Sequence, residues 1–267
     1  MDRILTMKEK IAEKPNNDHF HLHVHEWYEI IYFLEVDAKY IIEGKFFSLK
    51  PGDVIVIRRN QMHRVFHNSS KRYRRFIFSV HSEFFETCGC KEYEADFLCA
   101  KNNKIDAAIV QASGLQDAFL RAQKYSNNFT DWDSLIARTI MIEILYLMNQ
   151  VTTFSEGRTI NKQLTDVINY ISENFTQNIT LDELVERFFI SKYHLCRSFT
   201  KATGLTVYQY ITKKRLLYAK ELVAEGKHIG EAASLSGFNT YSSFYRAYIK
   251  EYGVPPGQSR NIHNNHS

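Results

Sequence analysis

Two copies of an internal repeat place an arginine at the same position near the end of the chain. The copies are FISKYHLCRSFTKATG, beginning at Phe189, and FNTYSSFYRAYIKEYG, beginning at Phe238, at an offset of 49 residues. Arg197 and Arg246 occupy equivalent places in them. A guanidinium group can donate two hydrogen bonds to the edge of guanine or contact a backbone phosphate. The repeat therefore predicts two equivalent contacts to DNA.

Each copy carries the signals of a helix-turn-helix unit. A residue suited to an N-cap, Ser191 or Thr240, precedes the second helix, and a glycine follows it. An apolar pair four residues apart marks the buried face, and a short helix, LDELVERF or IGEAASLS, comes first. The second helix of such a unit enters the major groove. The residues predicted to face DNA are Lys192, Tyr193, His194, Cys196, Arg197, Thr200, Tyr241, Ser242, Ser243, Tyr245 and Arg246.

For a single helix, a solvated face would be an equally good interpretation of these residues. An arginine at the same position in both copies favours DNA contact. A connecting helix, about Val207 to Glu225, carries Lys213, Lys214 and Arg215, which either contact phosphates or form a solvated face. This connector must hold the two recognition helices about 34 Å apart for successive major grooves, or the DNA must bend.

The positive charge of the chain is concentrated in the same region. The 267 residues carry a formal net charge of +4. From Ile160 onward, 13 lysines and arginines stand against 9 acidic residues, whereas the remainder has 21 of each. This distribution suits a DNA-binding module joined to a neutral one, with chance as the alternative.

The sequence indicates a cytoplasmic protein. No apolar run approaches the roughly 20 residues that a membrane span needs. The N-terminus MDRILTMKEKIAEK has no apolar segment of the signal-peptide kind. The spacing of Cys88, Cys90, Cys99 and Cys196 fits no zinc or disulfide pattern, so we expect free thiols in a reducing compartment.

Short apolar segments separated by turn signals predict strands over residues 19–80. They read EIIYFLE, KYII, FFSL, DVIVI, RVF and RFIFSV, and Pro51-Gly52 fits the centre of a type II turn. Strands at this spacing predict a barrel or sandwich.

Helices are predicted over residues 105–125 and 133–150, where glycine and proline are nearly absent. An apolar stripe in the second of them either packs against the barrel or forms a dimer seam. Its members are Leu135, Thr139, Ile142, Leu145 and Met148. Residues 151–161 are the candidate linker. Helices follow, the second of them beginning at Thr180 with a capping box completed by Glu183.

The C-terminal part resembles the AraC/XylS family of bacterial transcription regulators. The resemblance rests on ITLDELVERFFISKYHLCRSFTKATG, the connector KKRLLYAKELV, and IGEAASLSGFNTYSSFYRAYIKEYGVPPGQSR, with Gly237, Phe238 and Phe244 in the signature segment. It implies that exposed residues of both recognition helices read DNA, and Cys196 departs from the polar residue typical of its position. The implied readers are Lys192, Tyr193, Cys196, Arg197, Tyr241, Ser242 and Arg246.

The N-terminal stretch HLHVHEWYEIIYFLEVDAKYIIEGKFFSLKPGDVIVIRRNQMHR resembles the family's cupin-like sensor domain. In cupin enzymes two histidines, a glutamate and a later histidine bind a metal, and the equivalents here are His23, His25, Glu29 and His63. Such ligands suit divalent iron, manganese or zinc. The alternatives are hydrogen bonds to a small effector, the use that the family implies, or purely structural histidines. A glycine typical of the cupin motif is missing near Val36 and Asp37.

The resulting fold class is α+β in two domains. A cupin-like β-barrel with following helices occupies residues 1–150 (barrel about 19–82, helices about 105–150). An all-α domain at 162–267 holds helix-turn-helix units at about 180–204 and 229–253. We expect a DNA-binding regulator and not an enzyme, with no cofactor. Its expected partners are promoter DNA, a small effector such as a sugar, RNA polymerase and a second copy. A metal-dependent cupin enzyme is the alternative. A DNA-repair methyltransferase is discarded because Cys88 and Cys90 lack the required pattern.

Overall fold

A computed structural model describes residues 4–17, 20, 22–94, 103–125, 131–151 and 162–256. The chain divides into two compact units, from Arg3 to Ile160 and from Asn161 to Ser267. The two-domain α+β class is thereby confirmed, with antiparallel sheets in the first unit and helices in the second. Apart from Val151, the predicted linker lies outside the described residues, as does Cys99.

The first unit contains two antiparallel sheets. The five-stranded sheet has the order β1-β7-β2-β5-β8 and the three-stranded sheet has the order β4-β3-β6. The strands are β1 Leu5–Ala12, β2 Tyr28–Glu35, β3 Ala38–Ile42, β4 Lys45–Ser48, β5 Val54–Ile57, β6 His63–His67, β7 Tyr73–Val80 and β8 Lys104–Ile105. The helices are α1 Ser82–Thr87, α2 Ala107–Ala112, α3 Leu115–Gln123 and α4 Asp131–Gln150.

The central strands are apolar on both faces because each face covers a different core. Successive side chains of a strand point to opposite sides. In β2, Ile30 and Tyr32 join the core beneath the helices, whereas Ile31 and Phe33 join the core between the two sheets. This double burial explains the apolar run from Ile30 to Leu34 in β2 and the four apolar residues of β5.

The sequence pattern does not predict two features of the first unit. Strand β1 pairs with β7 from Leu5 to Ala12, yet only Met7 along it is buried, so its alternation is too weak to read. The helix predicted over 105–125 is two helices. Gly114, with φ of 80°, separates them, and β8 takes up Lys104 and Ile105.

The predicted stripe of helix α4 is split between the two sides of the helix. Leu145 and Met148 are buried in the core that the helices share with the sheet, as Met141 and Ile144 are. Leu135 and Thr139 are exposed, and Leu135 keeps 55% of its surface accessible. The helix therefore packs against the sheet along one side and exposes a second apolar side.

The second unit consists of helices packed around a long connector. Its helices are α5 Lys162–Asn174, α6 Leu181–Phe188, α7 Lys192–Thr203, α8 Val207–Ala224, α9 Ile229–Leu235 and α10 Tyr241–Tyr252. Helix α8 takes part in both helix-turn-helix cores. Its Tyr210 ring lies 5.4 Å from Phe199 of α7, and its Leu216 and Ala219 pack with Phe244 of α10.

Candidate nucleic-acid interface and buried histidine cluster

The two recognition helices, α7 and α10, begin and end as the repeat predicts. The Ser191 hydroxyl accepts a hydrogen bond from the His194 amide at 3.3 Å, and the Thr240 hydroxyl accepts one from the Ser243 amide at 3.2 Å. Each helix ends at a glycine in the left-handed region, with φ of 77° at Gly204 and 72° at Gly253. Local sequence signals therefore place both helices.

One predicted cap is only half correct. The Thr180 hydroxyl accepts from the Glu183 amide at 3.1 Å, but the Glu183 carboxylate accepts instead from the Tyr170 hydroxyl at 2.6 Å. The full capping box lies at the start of α8, between Thr206 and Gln209. Glu183 thus joins helix α5 to helix α6, a long-range contact that local pattern does not reveal.

The apolar pairs of both recognition helices are buried, and the opposite faces are exposed. Leu195, Phe199 and Phe244 have no accessible surface, and Tyr248 has 2%. The predicted DNA-facing residues that are exposed are Lys192, Tyr193, His194, Cys196, Arg197, Thr200, Tyr241, Ser242, Tyr245 and Arg246. Ser243 alone of this set is half-buried, and its hydroxyl donates to the Thr240 carbonyl at 2.8 Å.

Arg197 and Arg246 lie at the same helical position, five residues after the first residue of α7 and of α10. Within the described part of the chain, neither guanidinium pairs with a carboxylate. Arg197 reaches the Tyr193 hydroxyl at 3.5 Å, and Arg246 donates to the Ser242 carbonyl at 3.3 Å. Lys192 differs, since its ammonium lies 2.9 Å from the Asp182 carboxylate. The two arginines are thus positive charges available to an anionic partner.

The basic cluster of the connector is engaged within the unit itself. Lys213 pairs with Glu251 of α10, and Lys214 is buried. Arg215 donates to the carbonyls of Phe175 and Gln177, each at 2.7 Å, just beyond the C-terminus of α5. Lys213 and Arg215 therefore link helix α8 to α10 and to the segment after α5, and phosphate contact by this cluster stays a prediction.

In the first unit, Asn17 and His23 lie beside strand β6. This pairing brings His23 and His25 close to His63, which is distant in sequence. The His67 amide donates to the Asn17 side chain at 2.7 Å. His23 and His63 exchange two backbone hydrogen bonds, each of 3.0 Å. The His25 carbonyl then accepts from the Asn60 amide at 2.9 Å. These bonds place His23 and His25 next to His63.

Three histidines and one glutamate converge at this place. Nitrogen atoms of His23, His25 and His63 all lie within 4.8 Å of one another. Glu29 lies on β2, on the same face as Ile31 and Phe33. One oxygen of its carboxylate, Oε2, is 3.5 Å from His25 Nε2 and 3.7 Å from His63 Nε2. The structure therefore brings together all four residues that the resemblance named, and we call them the histidine cluster.

Hydrogen bonds to the backbone orient two of these imidazoles. His25 Nδ1 lies 2.8 Å from the Trp27 carbonyl, and His63 Nδ1 lies 2.8 Å from the Gln61 carbonyl. A carbonyl can only accept, so each Nδ1 carries the proton. Burial and the neighbouring His23 and His25 hold the pKa of His63 well below its usual value. The Trp27 ring stacks on His25, with ring centres 4.6 Å apart and planes 5° from parallel.

A second group of polar side chains lies between the sheets, and the sequence pattern did not predict it. The His67 ring touches Phe20 and Tyr73, at 4.7 and 4.6 Å between ring centres. The guanidinium carbon of Arg75 lies 4.2 Å from the centre of the Tyr73 ring. His67 Nε2 and the Tyr73 hydroxyl are buried, and among the described residues neither has a hydrogen-bond partner. The period-2 spacing of His63 and His67 on one strand could have revealed this group.

Burial shifts several titratable groups of the first unit. Burial, together with the positive charge of Arg75, lowers the pKa of His67 to about 4. Burial also raises the pKa values of the Cys88 and Cys90 thiols, whereas Cys196 is exposed on α7. All three cysteines that the structure describes are free thiols.

Among the described residues, a helix with the length and hydropathy of a membrane span is absent.

Comparison with known proteins agrees with the geometry of both units. Residues 9–115 match the model of an AraC-like ligand-binding domain, and residues 184–262 match that of a helix-turn-helix domain. Together they define a DNA-binding transcription regulator with an N-terminal ligand-binding domain. The chain belongs to the AraC family of transcription regulators.

Three similar proteins illustrate the range of the family. A probable transcriptional regulator, LumQ of Photobacterium leiognathi, is 31% identical over 46% of this chain, and the match spans about half (51%) of LumQ. The transcriptional activator RhaS of Yersinia pestis is 21% identical over 89% of this chain and 88% of its own length. The solved structure of ToxT from Vibrio cholerae is 13% identical over 96% of this chain and 98% of its own, with a TM-score of 0.38.

Proposed function

We propose that this AraC-family protein is a cytoplasmic transcription activator that a small molecule controls. We assign effector binding to residues 1–150 and DNA binding to residues 162–267. One observation carries the proposal: Arg197 and Arg246 are exposed at the same position of two capped helices, and neither pairs with an acidic side chain among the described residues. Both helices pack on the single connector α8, so one chain presents two recognition helices to one promoter.

The base-reading residues are proposed to lie along one face of helices α7 and α10. They are Lys192, Tyr193, His194, Cys196, Arg197, Thr200, Tyr241, Ser242, Ser243, Tyr245 and Arg246. Tyr193 and Tyr241 add aromatic rings at the start of each helix, and the Tyr193 hydroxyl lies 3.5 Å from the Arg197 guanidinium. Ser243 contributes through the cap of α10, since its hydroxyl is bonded to Thr240.

The effector is proposed to bind in the barrel, where several buried polar atoms form no hydrogen bond within the described residues. Such atoms are rare in folded proteins, and each needs an explanation such as strain, a catalytic role, a water or an ion. His25 Nε2, His63 Nε2, His67 Nε2 and the Tyr73 hydroxyl are all of this kind. Together with His23 and Glu29 they suit a small molecule with several hydroxyl or carboxylate groups, such as a sugar.

The name of RhaS as a transcriptional activator supports activation as the sign of regulation. RNA polymerase is the proposed partner in that activation. A second copy is proposed to pack on the exposed apolar side of α4. Leu135 and Tyr146 lie on this side, three helical turns apart, with 55% and 50% of their surfaces accessible. A dimer formed there would extend the DNA site that one chain already reads.

The DNA-binding part is tested by a band shift of the full-length protein on DNA from upstream of its own gene. We expect a complex whose affinity falls steeply as salt rises, because bound cationic side chains release counterions from DNA. Absence of binding at low salt to every upstream fragment would rule out this function.

The effector part is tested by a thermal-shift screen of sugars and related metabolites. A ligand at 100 times its Kd should add about 2.7 kcal/mol of stability.

A further inference from the structure

The histidine cluster brings polar atoms of His25, His63 and Glu29 close together. The Nδ1 atoms of His25 and His63 donate to backbone carbonyls, so in the neutral imidazole each Nε2 carries the lone pair. Both lone-pair nitrogens lie near the same Glu29 oxygen, at 3.5 and 3.7 Å. Both nitrogens are buried, and neither forms a hydrogen bond with the part of the chain that the structure describes. A neutral imidazole nitrogen and a carboxylate oxygen repel unless a cation or a proton lies between them.

The distances between these atoms fit a shared metal ion better than a shared proton. An N–H···O hydrogen bond spans about 2.7–3.2 Å, shorter than both separations. Ligands about 2.1 Å from a metal lie about 3.0 Å apart at the edge of an octahedron and about 3.4 Å apart in a tetrahedron. The observed 3.5 and 3.7 Å are therefore close to such an edge before the ligands contract around an ion.

The surroundings of the cluster match those of metal-binding histidines. A ligating histidine normally donates its second ring nitrogen to a carbonyl or carboxylate, which fixes the tautomer and the ring orientation. His25 and His63 make this bond to Trp27 and Gln61 at 2.8 Å each. His23, on the exposed side of the cluster, supplies a third imidazole, with its ring centre 4.1 Å from that of His63.

We propose that His23, His25, His63 and Glu29 bind one divalent transition-metal ion in the barrel. Imidazole-rich ligands favour zinc, cobalt, nickel, copper or iron over calcium and magnesium, which prefer oxygen. Four protein ligands complete a tetrahedral shell, and an ion that takes six ligands keeps two positions for an effector. This proposal rests on the proposed effector site, whose His25 and His63 nitrogens the metal would use, and it is independent of DNA binding.

The test uses full-length protein without an affinity tag, stripped of metal by a chelator and titrated with Co²⁺. We expect a visible Co²⁺ absorption that saturates at one ion per chain and disappears when Zn²⁺ displaces the cobalt. Glu29→Gln and His63→Gln should each weaken binding by more than about tenfold, since even changes behind the ligands cost that much. Both substitutions are close in size to the native side chain.

The matched control is Glu9→Gln, which alters a carboxylate of the same unit outside the cluster, where Glu9 pairs with Arg74. It should leave the Co²⁺ spectrum and affinity unchanged. The proposal is overturned if the stripped protein binds neither Co²⁺ nor Zn²⁺. It is equally overturned if a folded Glu29→Gln/His63→Gln double variant, checked by circular dichroism, binds Co²⁺ as well as the parent chain. A band shift on the same preparations reports separately on the DNA-binding proposal.

Discussion

Gly237 packs directly against the backbone of Thr176, two residues beyond the end of helix α5. A Cβ atom at Gly237 would lie 2.8 Å from the Thr176 carbonyl carbon and 2.9 Å from its Cα. Gly237 also has φ of +89°, a conformation that other residues rarely adopt. The glycine therefore lets the turn between α9 and α10 lie against the segment that follows α5.

Substituting Gly237 with alanine should destabilise the second unit more than the backbone angle alone explains. Overpacking costs about 1–3 kcal/mol, and a positive φ adds about 1–2 kcal/mol. Gly226 is the control, because its φ of +94° is similar but a Cβ there meets nothing within 4 Å. Urea unfolding followed by far-ultraviolet circular dichroism measures both variants. Equal losses in Gly237→Ala and Gly226→Ala would show that the Thr176 contact contributes nothing.

Removing either recognition arginine should weaken specific DNA binding. Arg197→Ala and Arg246→Ala should each cost about 1–3 kcal/mol if the guanidinium reads a base, and relax the preference at that base. Lys201→Ala and Lys250→Ala are matched controls, since these exposed lysines lie near the C-terminal ends of α7 and α10. Band shifts on specific and scrambled DNA distinguish the effects. A uniform loss on both DNAs would reassign the arginines to phosphate contacts.

Arg215 should matter for stability and not for the salt dependence of DNA binding. The charged guanidinium of Arg215 donates two hydrogen bonds to the carbonyls beyond α5. Because hydrogen bonds of charged groups contribute more than neutral ones, Arg215→Met should destabilise the second unit by about 1.5–3 kcal/mol. The slope of DNA affinity against salt should stay unchanged. A phosphate contact would instead lower that slope by about one ion per DNA site while leaving the fold intact.

Acidification below pH 6.5 should destabilise the first unit through His67. The folded pKa of about 4 lies below the unfolded value, so the unfolded chain takes up the proton first. The contribution of His67 is complete above pH 6.5 and is lost as the pH falls towards 4, at up to about 1.4 kcal/mol per pH unit. Arg75 lowers this pKa and Asp37 opposes it. A His67→Phe variant should lose about 1–2 kcal/mol less between pH 6.5 and 5 in unfolding experiments.

The exposed side of α4 should mediate self-association. Leu135→Glu should shift the sedimentation coefficient towards that of a single chain, because the charge would have to be buried at the interface. Glu143→Gln is a control on the same helix, where Glu143 already pairs with Arg121. An unchanged distribution of species in Leu135→Glu would exclude this side of the helix as the interface.

Features that depend on local sequence could be predicted, whereas features that depend on long-range contacts could not. Ser191, Thr240, Gly204 and Gly253 act within a few residues of their own position, so the recognition helices were predicted with their caps. The engagement of Arg215 depends on a partner about 40 positions away in the chain, and no local pattern encodes it. The resemblance to cupins identified the four residues of the histidine cluster. It did not predict their mutual distances, which depend on the backbone hydrogen bonds between His23 and His63.

The stacking of Trp27 on His25 gives the histidine cluster an optical reporter. The chain has two tryptophans, Trp27 and Trp132, so Trp132→Phe leaves a single emitter whose ring touches a cluster residue. Any ion or molecule that reorients His25 should change the emission of that ring, and paramagnetic Co²⁺ should quench it. Occupancy of the barrel can then be followed by intrinsic fluorescence during a DNA titration, without a label.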